Sequence, residues 1–460
     1  MKKTLRRTIA ASTLSAALAA TMASTPSLAE QAEPGSSAKA AQLSKFGYKG
    51  VAEGVKLYVN NVQVKALKDG VAPLRCTRKI GRESDARSLL STPEDFPLFD
   101  LSAATSRTVT YSQGARKGVR ATSSMGDIVV GDFDLGTPVV TIKGLTTVAD
   151  AFHDKKGYGH EESISRLDLS IDGLPEEISQ PLQDLLDAIE TGLLEPVLEV
   201  LESVGAPIEI PDLGTIALSG RSKGTTSGHH AESDAAALEF VVTATGETQK
   251  LLLGHSRARI GGPAHGGVFR STSMPLEVDA LDGAARFGGV RPRPIPCEGT
   301  GGQVRTRTLD SASVLLPQSL LAGVTGIEYK YMGKQHRNGT AEGFNSQTVG
   351  SFTIDQLGLS IEGIQSKVVT KKVESNKTRS GYKVISKPTF SVAKIVHDGT
   401  EYATPRPGKL LIIDGLGVIQ TRVVEATKWG KRVTALELVL SDYGDIQVDL
   451  GISASQIFDY

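Results

Sequence analysis

The chain has 460 residues, with 51 basic and 51 acidic side chains, 2 cysteines, and few aromatics beside 49 glycines. That length accommodates two or three ordinary domains, and the charge balance leaves no basic excess to neutralise a phosphate backbone, which argues against a nucleic-acid partner. A 39% hydrophobic and 22% charged composition excludes wholesale disorder, and two cysteines are too few for a four-thiolate zinc site or a disulfide-dense scaffold.

Residues 1–29 read as a secretory signal peptide. Lys2, Lys3, Arg6 and Arg7 form a positive start, an Ala- and Leu-rich apolar stretch runs from Ile9 to Met22, and Ser27-Leu28-Ala29 offers small residues for cleavage. The stretch is too short and Ala-rich for a comfortable membrane span. Arg6-Arg7 leaves Sec and twin-arginine export both open. Four of the 51 basic residues leave with this segment, so the mature chain would carry 47 against 51 acidic residues, a formal charge of −4. Residues 30–45 read as a flexible leader. No later segment is apolar enough for a transmembrane helix, and Ile457-Phe458-Asp459-Tyr460 carries no sorting motif.

From residue 46 the pattern is strand-like. Val55, Leu57 and Val59 alternate with polar neighbours, and Asn60-Asn61 suits a tight turn before Val62 and Val64. Val139, Thr141 and Leu145 keep the same period, as do Leu167, Leu169 and Ile171. An exception follows at 174–205. Pro175-Glu176-Glu177 suits a helix N-terminus, and Ile178, Leu182, Leu185, Leu186, Ile189 and Leu193 form one apolar stripe. Gly192 and Pro196 should break that helix, leaving a shorter one through Leu198, Leu201 and Val204. Near the C-terminus, Leu436, Leu438 and Leu440, then a polar turn, then Ile446, Val448 and Leu450, predict a hairpin.

The chain also repeats itself. Residues 131–145 (GDFDLGTPVVTIKGL) align without gaps on 350–364 (GSFTIDQLGLSIEGI), AALEFVV at 236–242 matches TALELVL at 434–440, and LLLGHSRARI at 251–260 matches QVDLGISASQI at 447–457. Cys76 and Cys297 end the matching tetrapeptides PLRC and PIPC. The expected fold is therefore mostly β, with two tandem diverged β-sandwich-like repeats at 46–262 and 267–458 and an acidic α-helical insertion in the first. In an exported chain the matched cysteines should form a disulfide, closing a loop worth roughly 4–5 kcal/mol in the chain-entropy model.

Charge is segregated. Residues 167–220 contain 12 acids and no lysine or arginine, whereas 365–394 contain 8 basic residues and Glu374 alone opposing them. Glu176, Glu177, Asp184, Asp187 and Glu190, with Lys367, Lys371 and Lys372, mark a candidate interaction surface, although opposite-sign solvated faces would give the same pattern.

Reactive constellations are sparse. His229, His230, Glu232 and Asp234 have the donor types for a metal but sit beside a polar hairpin tip without zinc-site spacing. Gly254-His255-Ser256 lacks the closing glycine of a nucleophile elbow, since Ala258 stands there. Asp132 with Asp134, or Asp442, Asp445 and Asp449, could hold calcium loosely, and no other cofactor is indicated. Scattered carboxylates also leave a β-sandwich hydrolase as an alternative.

The run from Pro211 to Leu218, AALEFVV and LLLGHSRARI, with the second copy's VTALELVL and VDLGISASQI, resembles the choice-of-anchor P family of exported actinobacterial proteins. The resemblance implies a secreted β-protein associated with the cell envelope and without a known activity. This chain departs from the family in ending without one of its usual C-terminal anchors. The expected role is structural or binding rather than catalytic, with a cell-wall or extracellular protein as partner. A cell-wall polysaccharide-binding module is the alternative.

Overall fold

The structure is a computed structural model that describes residues 42–59, 62–64, 70–89, 99–101, 103–131, 139–165, 168–172, 208–210, 214–218, 223–242, 249–280, 285–287, 294–316, 320–444 and 446–459. The predicted signal peptide, most of the predicted leader and the predicted helical insertion at 174–205 lie outside the described residues. Strands dominate, with single 3₁₀ turns such as Asp355–Leu357 and Ser441–Tyr443.

The strands follow in chain order as β1 (Leu43–Val59), β2 (Val62–Val64), β3 (Val71–Lys79), β4 (Glu83–Leu89), β5 (Phe99–Leu101), β6 (Ala103–Gln113), β7 (Arg116–Met125), β8 (Ile128–Val130), β9 (Val139–Lys143) and β10 (Thr146–Asp154). Next come β11 (Gly157–Ser165), β12 (Asp168–Asp172), β13 (Ile208–Ile210), β14 (Gly214–Leu218), β15 (Lys223–Ser227), β16 (His230–Val242), β17 (Gln249–Gly261), β18 (Val268–Ala280), β19 (Ala285–Phe287) and β20 (Arg305–Leu315). The remainder are β21 (Leu321–Gln335), β22 (Ala341–Ile354), β23 (Leu359–Glu374), β24 (Tyr382–Ser391), β25 (Lys394–His397), β26 (Thr400–Tyr402), β27 (Leu410–Ile413), β28 (Gly417–Thr427), β29 (Gly430–Leu440) and β30 (Ile446–Phe458).

Several predicted elements fall where alternation put them. Val59 pairs with Val62 in the β1–β2 hairpin. Leu436, Leu438 and Leu440 of β29 pair with Leu450, Val448 and Ile446 of β30 around the Ser441–Tyr443 turn. The leader ends earlier than expected, because β1 begins at Leu43. Ser44 is buried there, and its Oγ accepts hydrogen bonds from the Phe46 amide and the Tyr48 hydroxyl.

Among the described residues the strands form four antiparallel sheets. The largest has fourteen strands in the order β13-β14-β16-β17-β1-β2-β19-β18-β30-β29-β28-β27, with β15 added to β16 and β3 to β1. A five-stranded sheet runs β11-β10-β7-β6-β4, a four-stranded sheet β12-β9-β8-β5, and a seven-stranded sheet β20-β21-β22-β23-β25-β26 with β24 on β23. The five-stranded sheet packs on β1, β16 and β17, and the seven-stranded sheet packs on β18, β29 and β30. Both layers thus cover the same face of the large sheet.

The two cores differ in side-chain size. Under the seven-stranded sheet, Leu276, Val324, Phe352, Ile361, Leu436 and Leu450 belong to an extended Leu, Ile and Val core. Under the five-stranded sheet the core mixes Phe46, Tyr48 and Leu74 with Ala149, Ala151, Ala231, Ala235 and Ala258. Alanine supplies less apolar area per residue, so each position there contributes less to burial.

Two strand pairs of the large sheet skip one rung at a left-handed glycine without changing register. The β1–β17 register passes from Glu53↔His255 to Val55↔Leu253, and Gly254 has φ +59°. The β18–β30 register passes from Met274↔Ile452 to Leu276↔Leu450, and Gly451 has φ +67°. The alternation inverts across Gly451 with the register unchanged on both strands, so Leu450 before it and Ser453 after it both face the packed sheet. The left-handed φ favours glycine, and a Cβ at Gly451 would stand 2.8 Å from side-chain carbons of Ala435 and Ile364.

The cysteines join the two ends of this arrangement. Cys76 on β3 and Cys297 form a disulfide with Cα atoms 5.4 Å apart, across 221 residues of sequence. Ala264, Val268 and Phe458 surround it, and Trp429 stacks on Phe458 with ring centroids 5.2 Å apart. Arg270 donates from Nε to the Cys76 carbonyl oxygen at 2.7 Å and lays its guanidinium over the Phe458 ring.

Candidate functional site

Strand alternation gives the seven-stranded sheet one packed and one open face. On β23, Val368 and Thr370 are buried, while Lys367 and Lys371 are exposed. On β24, Lys383, Ile385 and Lys387 are exposed at every second position. Cross-strand registers assemble these into rows. One row runs Lys330, Ser346, Lys367, Thr389; the next runs Met332, Phe344, Val369, Lys387; a third runs Lys334, Glu342, Lys371, Ile385.

The electrostatics of this face are uneven. Lys330 pairs with Glu328 at 2.6 Å and Lys371 with Glu342 at 3.1 Å. Lys334, Lys367, Lys383 and Lys387 have no acidic partner among the described residues. The Lys367 ammonium instead lies 4.8 Å from the Phe344 ring centroid. A shallow groove of about 340 Å³ opens here, lined by Glu328, Lys330, Ser346, Thr348, Gln365, Lys367, Thr389 and Ser391 among others. A second groove lies by Glu342, Lys371 and His336. Cations spaced among hydroxyls and amides on an open face can hold an anionic, hydroxyl-bearing ligand.

The predicted interaction residues are not all in one place. Lys367 and Lys371 are on the open face. Lys372 was expected with them, but one step along the strand turns it inward. It is buried, pairs with Asp459, donates to the Gly266 carbonyl oxygen at 3.2 Å and lies over the Tyr382 ring. Glu176, Glu177, Asp184, Asp187 and Glu190 lie outside the described residues.

The predicted metal donors are also distributed differently from the simplest reading. His229 is exposed in the β15–β16 turn, and His230 Nδ1 meets Ser227 Oγ at 2.8 Å. Glu232 is engaged by Arg257 Nε and Arg259 Nη1, each at 2.7 Å, and nearby arginines hold its carboxyl below the usual range against the opposing effect of burial. Asp234 meets His255 Nε2 at 2.9 Å. Among the described residues, no three His, Cys, Asp or Glu side chains are grouped to hold a metal. Asp132, Asp134 and Asp445 lie outside the described residues, and Asp449 faces Arg432 and Gln447.

Ser256 and His255 point to opposite faces, as adjacent strand residues must. Ser256 Oγ reaches the Thr147 carbonyl oxygen at 3.2 Å in the sheet interface, while His255 pairs with Asp234 on the other side. They cannot act together as nucleophile and base.

Two polar clusters were not foreseen. Asp150 on β10 is buried and meets Arg120 at 2.7 Å, Arg116 at 3.1 Å and the Tyr111 hydroxyl at 2.8 Å; Arg116 also pairs with Glu161. Burial and the Asp150 charge push the Tyr111 hydroxyl pKa upward. On the large sheet, Glu437, Asp449 and Glu277 stand in one cross-strand row. Arg432 Nη2 lies 3.0 Å from Glu277 and 3.6 Å from Asp449. Burial, then repulsion from Asp449, raises the Glu437 carboxyl to about 7, and burial also raises Asp449. The charges alternate along each strand, but only strand pairing reveals which of them meet.

No family model matches the chain, and no curated protein matches it. Among solved structures, a crystal structure of lipopolysaccharide binding protein aligns over 89% of this chain and 92% of that one, at 9% identity and a TM-score of 0.10. A TM-score so low carries no argument. No helix among the described residues is long and apolar enough to cross a membrane.

Proposed function

We propose that this chain is an exported, envelope-associated protein with a binding or structural role, related to the choice-of-anchor P proteins. The observation carrying the binding role is the open face of the seven-stranded sheet, where Lys367, without an acidic partner among the described residues, borders a polar groove and Lys383 and Lys387 stand exposed on the neighbouring strand. Export rests on residues 1–29. Disulfide formation fits an oxidising compartment.

Two diverged copies of one β-sandwich-like unit account for the chain's organisation. Strand order supports that reading: from its two ends the large sheet reads β13-β14-β16-β17-β1-β2 and β27-β28-β29-β30-β18-β19. Aligned glycines also share left-handed backbone, Gly144 with Gly363 and Gly254 with Gly451. The helical insertion remains part of the proposal for the first copy.

A pull-down of the mature chain on isolated cell-wall sacculi, with a salt titration, tests the role. Retention at low salt that weakens as salt screens the lysines is expected. No retention under any condition would overturn envelope binding. The polysaccharide-binding alternative draws on the hydroxyl and amide lining of the groove beside Lys367.

A further inference from the structure

We propose that the open face of the seven-stranded sheet binds a linear polysaccharide bearing carboxylates along its length, a polyuronate. This assignment rests on the binding role proposed above and names its ligand class.

The cations are spread rather than convergent. Lys367 and Lys371 on β23, and Lys383 and Lys387 on β24, repeat every four residues, a separation of about 13 Å along a strand. Lys330 and Lys367 share a cross-strand row with Ser346 between them, about 10 Å apart across two strand spacings. A compact phosphate needs several donors converging on one point, and this face does not converge. A polymer with single charges at intervals meets such spacing along its length.

The space between the cations is hydroxyl- and amide-bearing, through Ser346, Thr348, Gln365 and Thr389. Sugar hydroxyls exchange hydrogen bonds with such groups. A membrane surface fits less well, because Phe344 and Val369 are half-buried in the sheet and Ile385 is the large apolar side chain most exposed on these rows. Single-stranded nucleic acid fits less well too, since its bases seek open aromatic platforms and Lys367 lies over Phe344.

The test measures binding of the full mature chain to polygalacturonate, to neutral dextran and to phosphatidylglycerol vesicles. A triple variant, Lys367→Gln, Lys383→Gln and Lys387→Gln, changes exposed side chains with no acidic partner among the described residues, and circular dichroism checks its fold. Polygalacturonate binding should exceed dextran and vesicle binding, and weaken about tenfold or more in the triple variant, as expected when several modest exposed charge contacts are lost together. It should also vanish near about 1 M salt, where the screening length falls to about 3 Å. Equal binding by the triple variant, equal binding of dextran, a preference for vesicles, or no polygalacturonate binding at low salt would each overturn the assignment. The two proposals separate cleanly. Sacculi retained equally by wild type and triple variant keep the envelope role and remove this site. Polygalacturonate bound through the lysines, with sacculi ignored, keeps the site and removes the envelope role.

Discussion

Replacing both cysteines by alanine, Cys76→Ala with Cys297→Ala, isolates what the crosslink does for this fold. The partners are 221 residues apart, so the chain-entropy relation gives a denatured-state restriction of about 18 cal/mol/K, or about 5 kcal/mol at 25 °C. Measured disulfides more often deliver about 2–4 kcal/mol, and that range is the expectation here. Against a native stability of about 5–15 kcal/mol this is a large share. The structural setting adds a second consequence. The two ends of the large sheet meet through β2 and β19, paired at Phe287↔Val64, so the cysteine region carries much of their coupling. Arg259–Glu298 at 2.7 Å and Arg270 on the Cys76 carbonyl are among the polar contacts beside it. Trp429, the single tryptophan, stacks in this region, so its fluorescence reports the junction while far-ultraviolet circular dichroism reports all strands. Urea unfolding should show the fluorescence transition moving below the circular-dichroism transition in the alanine variant. The m-value should rise, because the uncrosslinked denatured chain exposes more surface. A stability loss under about 1 kcal/mol, with coincident transitions and an unchanged m-value, would refute the reasoning, against an expected minimum of about 2.

Asp150→Asn removes the charge that two guanidinium groups share. Breaking a fully buried pair costs about 3–5 kcal/mol, and Arg120 reaches solvent, so about 2–4 kcal/mol is expected from urea midpoints; under about 1 kcal/mol would mean that water already satisfies the arginines. Glu437 titrates higher in the fold than in the unfolded chain, so the native state binds the extra proton between pH 4.5 and about 7. Stability therefore falls as pH rises through that window and the penalty persists above it. Glu437→Gln should stabilise the protein at pH 8 by roughly 1–2 kcal/mol, allowing for residual solvent contact, with the gain fading by pH 4.5; a pH-independent difference in thermal unfolding would contradict this. Leu410 and Ile412 are 46% and 69% exposed on β27, an edge strand that pairs only with β28 among the described residues. Such an edge invites intermolecular pairing, so Leu410→Lys with Ile412→Lys should delay concentration-dependent association in light scattering, and unchanged association would exonerate the strand.

Local periodicity carried the β class and the hairpins. Leu436, Leu438 and Leu440 opposite Ile446, Val448 and Leu450 are neighbours because a short turn sets their register. Cys76 and Cys297 were matched by their tetrapeptides, and the structure pairs them. Lys367 and Lys371 were visible as a basic run, but Lys372 turns inward to Asp459 because successive strand residues face opposite sides. Glu437 opposite Asp449 follows from that same β29–β30 hairpin, whereas Asp150 with Arg116 and Arg120, and Glu277 beside Asp449, were hidden for a different reason. Their strands meet through registers that span many residues or join distant segments, and no local propensity encodes which strands become neighbours. The sequence by itself therefore determined the mostly β class and local hairpins such as those around Val59–Val62 and Leu440–Ile446. Only the tertiary structure decided that both β regions build one large sheet, and which charges face solvent or each other, because cross-strand contacts depend on long-range pairing and on left-handed glycines such as Gly254 and Gly451 where alternation inverts.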